Sequence, residues 1–239
     1  MADTSSAPPT ILHHDDDFLM VAKPPGLPTT SPDPSAACLV RWVAEHVDGR
    51  RPPHATSRLD SPVSGLVTFA LTRRANQHLL AARKSGEYAR LYLGITTAAA
   101  SFATARWDWP ISIDPANRKL RVAGPGAGER DAATSCEVAD RGDFAALLRL
   151  SPVTGRTHQL RVHAAKAGVA LFGDHAYGAP RRHVLPSGRV VTATRVMLHC
   201  SRVSVPAMGS GVRLTVRAPA PADMERVWAQ LGGTPGALR

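Results

Sequence analysis

A chain of 239 residues, 44% of them hydrophobic, can bury a sizeable core in one large domain or two small ones, and one domain is the expectation. Lysine and arginine number 29 against 19 aspartate and glutamate, a formal +10 that favours a polyanionic partner, although basicity for solubility alone gives the same balance. Cys38, Cys136 and Cys200 are too few and too dispersed for a disulfide framework or a paired-ligand zinc site, and no apolar run reaches the length of a membrane span, which excludes those classes and suggests a cytoplasmic protein with reduced core thiols.

Residues 1–10 lack the basic-then-apolar order of a signal peptide and read as a disordered tail. An acidic turn at 13–17 leads into the apolar run 18–22 and a Pro-Gly stop at Pro25-Gly26, the pattern of a buried strand ending in a loop. His13 and His14 point to opposite faces of an extended chain, so a shared metal is not expected. Ser35 is placed to cap a helix carrying Ala36, Leu39, Val40, Val43 and Val47 at helical spacing, with Gly49 beyond its end. Next, Asp60 sits between the turn formers Ser61, Pro62 and Gly65 and an apolar strand over 63–70. A carboxylate at the mouth of a rigid strand, beside Arg58, suits a reacting group; an aspartate that caps the turn fits the same spacing.

Thr72 caps a second helix through about Ser85, with Ala75, Leu79, Leu80 and Ala82 inward and Gly86 as its stop. Its outer face, Arg73, Arg74, Arg83 and Lys84, either tracks a phosphate backbone or is simply solvated. Residues 87–95 alternate, so Arg90, Tyr92 and Gly94 share one strand face; the Arg–Tyr pair can stack a base and hold a phosphate, or the tyrosine can be a packing residue. Residues 96–130, with Trp107, Trp109 and a Gly-, Pro- and Arg-rich loop, give no clear element, and strands follow at 132–139 and 144–150. The densest polar stretch, 151–168, reads as a turn entering a helix with Thr157 as N-cap, Leu160, Ala164 and Ala167 along one stripe and Gly168 as the stop. Arg156, His158, Gln159 and Arg161 crowd its first turn, where free amides attract anions, and Arg161 suits the role of ion-pair partner to a carboxylate such as Asp60. His158 and His163 have the wrong spacing for a helical zinc pair. A turn at 173–178, a basic loop at 179–194, strands at 195–205 and 212–217, and a helix from Pro221 with Met224, Val227, Trp228 and Leu231 on one face complete the chain.

Taken together, these motifs resemble the RluA-type RNA pseudouridine synthases over about residues 11–231. Residues 15–28 are similar to that family's strand and Lys-Pro-x-Gly loop, and Ser57-Arg58-Leu59-Asp60 with Ser64-Gly65-Leu66 resembles its catalytic motif. Arg90-Leu91-Tyr92 resembles its Lys-x-Tyr strand, Ala132-Ala133-Thr134 its Ala-x-Thr strand, 152–163 its Pro-x-Thr-Gly-Arg-Thr-His-Gln-Leu-Arg-Val-His run, and Gly173-Asp174 with Tyr177-Gly178 its Gly-Asp-x-x-Tyr-Gly turn. The family usually has His where this chain has Ser57, with His54 three residues earlier, and Val63 replaces a common Thr; both departures bear on RNA contacts and loop shape more than on the chemistry.

The resemblance implies an α+β fold, a mixed, mostly antiparallel central sheet flanked by helices and loops with a central basic cleft. It implies isomerisation of specific uridines in ribosomal or transfer RNA by base flipping, with no cofactor and no metal. By motif position Asp60 is the catalytic aspartate, Tyr92 the aromatic packed on the flipped base and Arg161 the ion-pair partner of Asp60. Arg58, which would fill the gap or lead the flipped nucleotide, joins Arg90, Arg156 and His158 as expected RNA contacts. The expected layout is a tail at 1–10, a catalytic domain at 11–231 and a flexible tail at 232–239, acting as a cytoplasmic monomer without a membrane. Many relatives carry an N-terminal S4-like domain for which this chain has no room, so the catalytic domain is expected to recognise RNA itself, through the 179–194 loop. A catalytically silent RNA-binding relative is the alternative, opposed by intact Asp60, Tyr92 and Arg161, and an N-glycosidase would differ by releasing free uracil.

Overall fold

The computed structural model describes residues 7–47 and 53–239, so Gly49 and most of the expected N-terminal tail lie outside the described residues. In chain order the elements begin with β1 (Thr10–His14), β2 (Phe18–Lys23), α1 (Leu39–His46), β3 (His54–Ala55), β4 (Ser64–Ala70) and α2 (Arg73–Lys84). They continue with β5 (Ala89–Ile95), β6 (Thr104–Trp107), β7 (Ile111–Ile113), β8 (Arg121–Ala123), β9 (Thr134–Arg141), β10 (Ala146–Pro152) and α3 (Gln159–Lys166). A single 3₁₀ turn at His175–Tyr177 precedes β11 (Arg182–Val184), β12 (Val190–Thr192), β13 (Leu198–Pro206), β14 (Arg213–Arg217) and α4 (Ala222–Gln230). The fold is α+β, with a mixed, mostly antiparallel sheet and four helices among the described residues. The chain forms two compact units: residues 1–90 with 200–219, and residues 91–199 with 220–239.

In the first unit the strands run β1, β2, β4, β13, with β14 on β13 and β3 also pairing with β4. Every residue of β4 is buried, which is why 64–70 is mostly apolar on both faces and does not alternate, with Ser64 and Thr68 as its buried polar residues. Gly65, at φ +111°, lies against the backbone of Cys200, and a Cβ there would collide with the β13 main chain. The α2 helix packs Ala75, Leu79 and Ala82 inward, whereas Leu80, expected with them, is 54% exposed because it lies off their shared face; the Thr72 hydroxyl accepts the Ala75 N–H at 3.0 Å, the cap expected from sequence. The α1 helix differs from expectation. Ser35 does not cap it, because its hydroxyl and amide are both held by Asp33 Oδ1 at 2.7 and 2.8 Å in a separate turn. The helix instead starts at Leu39, whose N–H goes to the Pro28 carbonyl at 2.9 Å, while that of Val40 goes to Thr29 at 3.1 Å.

In the second unit β5, β10, β9 and β6 pair antiparallel, and β7–β8 and β11–β12 are separate hairpins. The 179–194 segment, expected as a loop, therefore contains a hairpin with Arg182 opposite Thr192. Its core gathers Leu93, Ile95, Leu147, Phe172, Met197, Met224, Val227 and Trp228. Leu238 joins the same core at 5% exposure, and the Thr234 amide donates to Asp140 at 2.9 Å, so the segment expected as a flexible tail is anchored at these two points although most of its residues are exposed. All three cysteines are buried and outside any disulfide, and burial, with Glu137 alongside, pushes the Cys136 thiol up to about 12. No helix among the described residues is long and apolar enough to cross a membrane.

Candidate active site

Asp60 lies in the first unit, in a loop held from both sides. Lys23, at the end of β2 and only 1% exposed, donates its ammonium to the carbonyls of Pro24, Leu27 and Ser61 at 2.9, 2.8 and 3.1 Å. A buried ammonium is tolerated only when its donors are taken up, and these carbonyls take them. Ser61 and Gly26 exchange two further bonds, from the Gly26 amide at 2.8 Å and from the Ser61 hydroxyl at 2.7 Å. On the other side of Asp60, the buried Thr29 hydroxyl donates to the Leu59 carbonyl at 2.9 Å and accepts the Leu59 amide at 3.0 Å. Since Pro28 and Thr29 also cap α1, the loop over 23–29 ties β2, α1 and the Asp60 turn into one rigid piece. Asp60 accepts the Val63 amide on its own carbonyl at 3.0 Å, and its side chain is half-buried; Arg58 is exposed. Ser57, the departure from the family pattern, is buried and its hydroxyl accepts the Thr68 amide at 3.2 Å, a bond within the loop support.

Tyr92, Arg156, His158 and Arg161 belong to the second unit. Tyr92 stands opposite Leu150 in the β5–β10 pair and is 5% exposed. Thr157 does not cap α3. The position before Gln159 is His158, whose φ of 57° makes it the only non-glycine residue among those described in the left-handed region. At the start of α3 Gln159 turns inward, donating to the Ala133 carbonyl and the Thr134 hydroxyl at 2.9 and 3.0 Å and accepting from Thr154 at 2.7 Å. Arg161 pairs with Asp174 through two bonds, Nε to Oδ2 at 2.8 Å and Nη2 to Oδ1 at 2.7 Å. Its guanidinium lies 4.9 Å from the centre of the Tyr177 ring. The Tyr177 hydroxyl in turn accepts the Arg121 amide at 3.1 Å and meets His158 Nδ1 at 2.6 Å. Arg156 is exposed and donates to the Asp131 carbonyl at 2.8 Å.

The structure thus brings Arg161 and His158 into one network through Tyr177, and places Arg90, half-buried, 5.8 Å from the Tyr88 ring in the first unit. Reasoning from residue spacing did not assign Lys23, Thr29, Asp174 or Tyr177 a role. Lys23 and Asp174 carry a usable signal, a charged residue inside or beside an otherwise apolar or glycine-turn stretch, but the partners lie at a sequence distance that no local pattern encodes. Among the described residues no three His, Cys, Asp or Glu gather into a group able to hold a metal ion.

The sequence matches the family model for RNA pseudouridylate synthases over residues 17–166. It is 31% identical over 219 residues to the dual-specificity RNA pseudouridine synthase RluA of Escherichia coli K12, covering 88% of this chain and 92% of that protein. It is 35% identical over 153 residues to the chloroplastic RNA pseudouridine synthase 2 of Oryza sativa, 62% of this chain and only 34% of the rice protein. The solved structure of human RNA pseudouridylate synthase domain containing 4 superposes with a TM-score of 0.74 at 22% identity, covering 94% of this chain and 93% of that one, a likeness of fold.

Proposed function

The chain belongs to the RluA-type family of RNA pseudouridine synthases and is an isomerase of that kind, and from this premise we propose that it converts specific uridines of ribosomal or transfer RNA to pseudouridine with Asp60 as the catalytic group. The observation that carries the assignment is the clamp on Asp60: Lys23, Thr29 and Ser61 pin the backbone on both sides of a carboxylate that is itself only half-buried. A turn-capping aspartate needs no such support, whereas a reacting group must be held in place by its surroundings. In the reaction the bond from the sugar C1′ to N1 of the base breaks and one to C5 forms, C5 gives up its proton and N1 gains one, so the composition of the RNA is unchanged. A carboxylate near the sugar can act as nucleophile or base in such an exchange, and the base must first leave its stack.

In this reading Tyr92 packs on the flipped base, Arg161 supplies the guanidinium that pairs with the catalytic carboxylate, Arg58 fills or leads the gap left by the nucleotide, and Arg90, Arg156 and His158 contact RNA. The protein works as a monomer in the cytoplasm, without cofactor or metal. Asp60→Asn keeps the shape and turn bonds of aspartate but not its charge. On RNA carrying tritium at C5 of uridine, the wild type releases the label, and Asp60→Asn is expected to release none above background while still shifting the same RNA in a gel. Repeated turnover by the Asn variant overturns the assignment.

A further inference from the structure

In the first unit, β13 and β14 pair with Arg202 opposite Arg217, Ser204 opposite Thr215 and Pro206 opposite Arg213. The intervening Val203, Val205 and Val216 are buried. Alternation along the strands therefore sets Arg202, Ser204, Arg213, Thr215 and Arg217 on the opposite, outward face of the ribbon. The Ser204 and Thr215 hydroxyls meet at 2.9 Å. Arg213 donates to the Ser204 hydroxyl at 3.1 Å and to the carbonyls of Ser204 and Glu87 at 3.1 and 2.7 Å, all neutral acceptors. Arg217 is exposed and Arg202 half-buried, and neither guanidinium has a hydrogen bond or ion pair among the described residues.

This arrangement works against the stability of the ribbon. Like charges directly opposite on neighbouring strands repel. Here three guanidinium groups share one face over about 13 Å of strand without a carboxylate among their described partners. A polyanion removes the conflict: guanidinium forks fit phosphate oxygens two at a time, and the hydroxyls between them add donors of the kind that contact nucleic-acid backbones.

We propose that the outward face of the β13–β14 ribbon binds the phosphate backbone of RNA, with Arg202 and Arg217 as the phosphate-contacting pair, in addition to the contacts assigned above to the reacting nucleotide. The inference rests on the reading of RNA as substrate. Its occupant is a backbone and not a base, because the face carries no aromatic platform and its donors are those that read charge.

The test uses the full chain, an unmodified transfer RNA transcript as probe, and affinity measured from about 50 to 200 mM salt. Each phosphate contact contributes about 0.7–0.9 to the slope of log affinity against log salt, so Arg202→Gln with Arg217→Gln is expected to flatten it by about 1.4–1.8. Over that range the wild type then loses about seven- to twelvefold more affinity than the double variant. Arg202→Lys with Arg217→Lys, which keeps the charges, is expected to restore the slope, and the exposed Arg217→Gln alone to show half the change. The melting temperature of the double variant should equal or exceed that of the wild type, since a repulsive pair is gone. An unchanged slope in the double variant overturns the inference while leaving the RNA reading intact. Wild-type affinity independent of salt instead overturns the RNA reading, and this inference with it. Loss of polyglutamate binding with RNA binding unchanged assigns the face to an acidic protein and also overturns the inference.

Discussion

Asp174 meets Arg161 with the two side chains 2% and 7% exposed, so neither charge is compensated by bulk water. The carboxylate stands where it does because Gly173, at φ +80°, lies against the Arg195 carbonyl, and any side chain there would collide with it. Asp174→Asn keeps the shape but leaves the guanidinium facing a neutral amide, and breaking a buried pair from one side costs about 3–5 kcal/mol. Urea denaturation is expected to show that loss; a change below about 1 kcal/mol would mean the pair contributes little to the fold. At this scale the sequence was legible by residue type: Arg161 stands out in 151–168 as a cation in need of a carboxylate, and one carboxylate that meets it, Asp174, lies thirteen residues on, across a turn that no local pattern links to the helix.

The α3 helix follows its expected Leu160–Ala164 stripe but buries more than that stripe. Gln159, Leu160, Arg161, Val162, His163 and Ala164 are all buried, so the helix has no solvated face over most of its length and its polar residues turn inward to partners on other elements. His163 is one of them, bonded to the Thr134 hydroxyl at 3.0 Å and the Trp109 carbonyl at 2.9 Å. Burial holds its ring below the ordinary value of 6.5, against the pull of the Trp109 carbonyl and Asp108. The folded state therefore resists a proton that the unfolded chain takes up, so this residue adds no pH dependence above about 6.5 and lowers stability as the pH falls below it, by at most about 1.4 kcal/mol per pH unit. Melting temperature should drop between about pH 6.5 and 5.5, and His163→Gln should lessen that drop while lowering stability at pH 7.5 through a poorer fit. An equal drop in the variant would show that other groups govern acid sensitivity. Elements with a simple pattern were easier: α4 follows its apolar stripe and β4 its apolar positions, while α2 keeps Ala75, Leu79 and Ala82 inward but not Leu80.

Over the whole chain, the strand content and the antiparallel class were legible, and the order of the strands was not, because each pairing joins segments whose separation no local pattern records. The C-terminal residues are a second case. Residues 232–239 carry Gly, Pro and Thr and read as a tail, but Leu238 is an anchor, and a single buried leucine contributes about 1.5–3 kcal/mol. Leu238→Ala should lower the melting temperature with no effect on the expected chemistry at Asp60. A variant as stable as the wild type would return the segment to the solvent.

The first unit is assembled from residues 1–90 and 200–219, so the piece of chain that neighbours β4 is made last. On the ribosome β4 emerges with β2 along one side and only the two-residue β3 on part of the other, and the rest of that side stays open until Cys200–Pro206 of β13 follows on the order of ten seconds later at 5–20 residues per second. An apolar strand with unpaired amides is a template for other chains. During that interval the uncovered part of the β4 edge is open to pairing with a neighbour on the same message, a hazard that ends when β13 closes it.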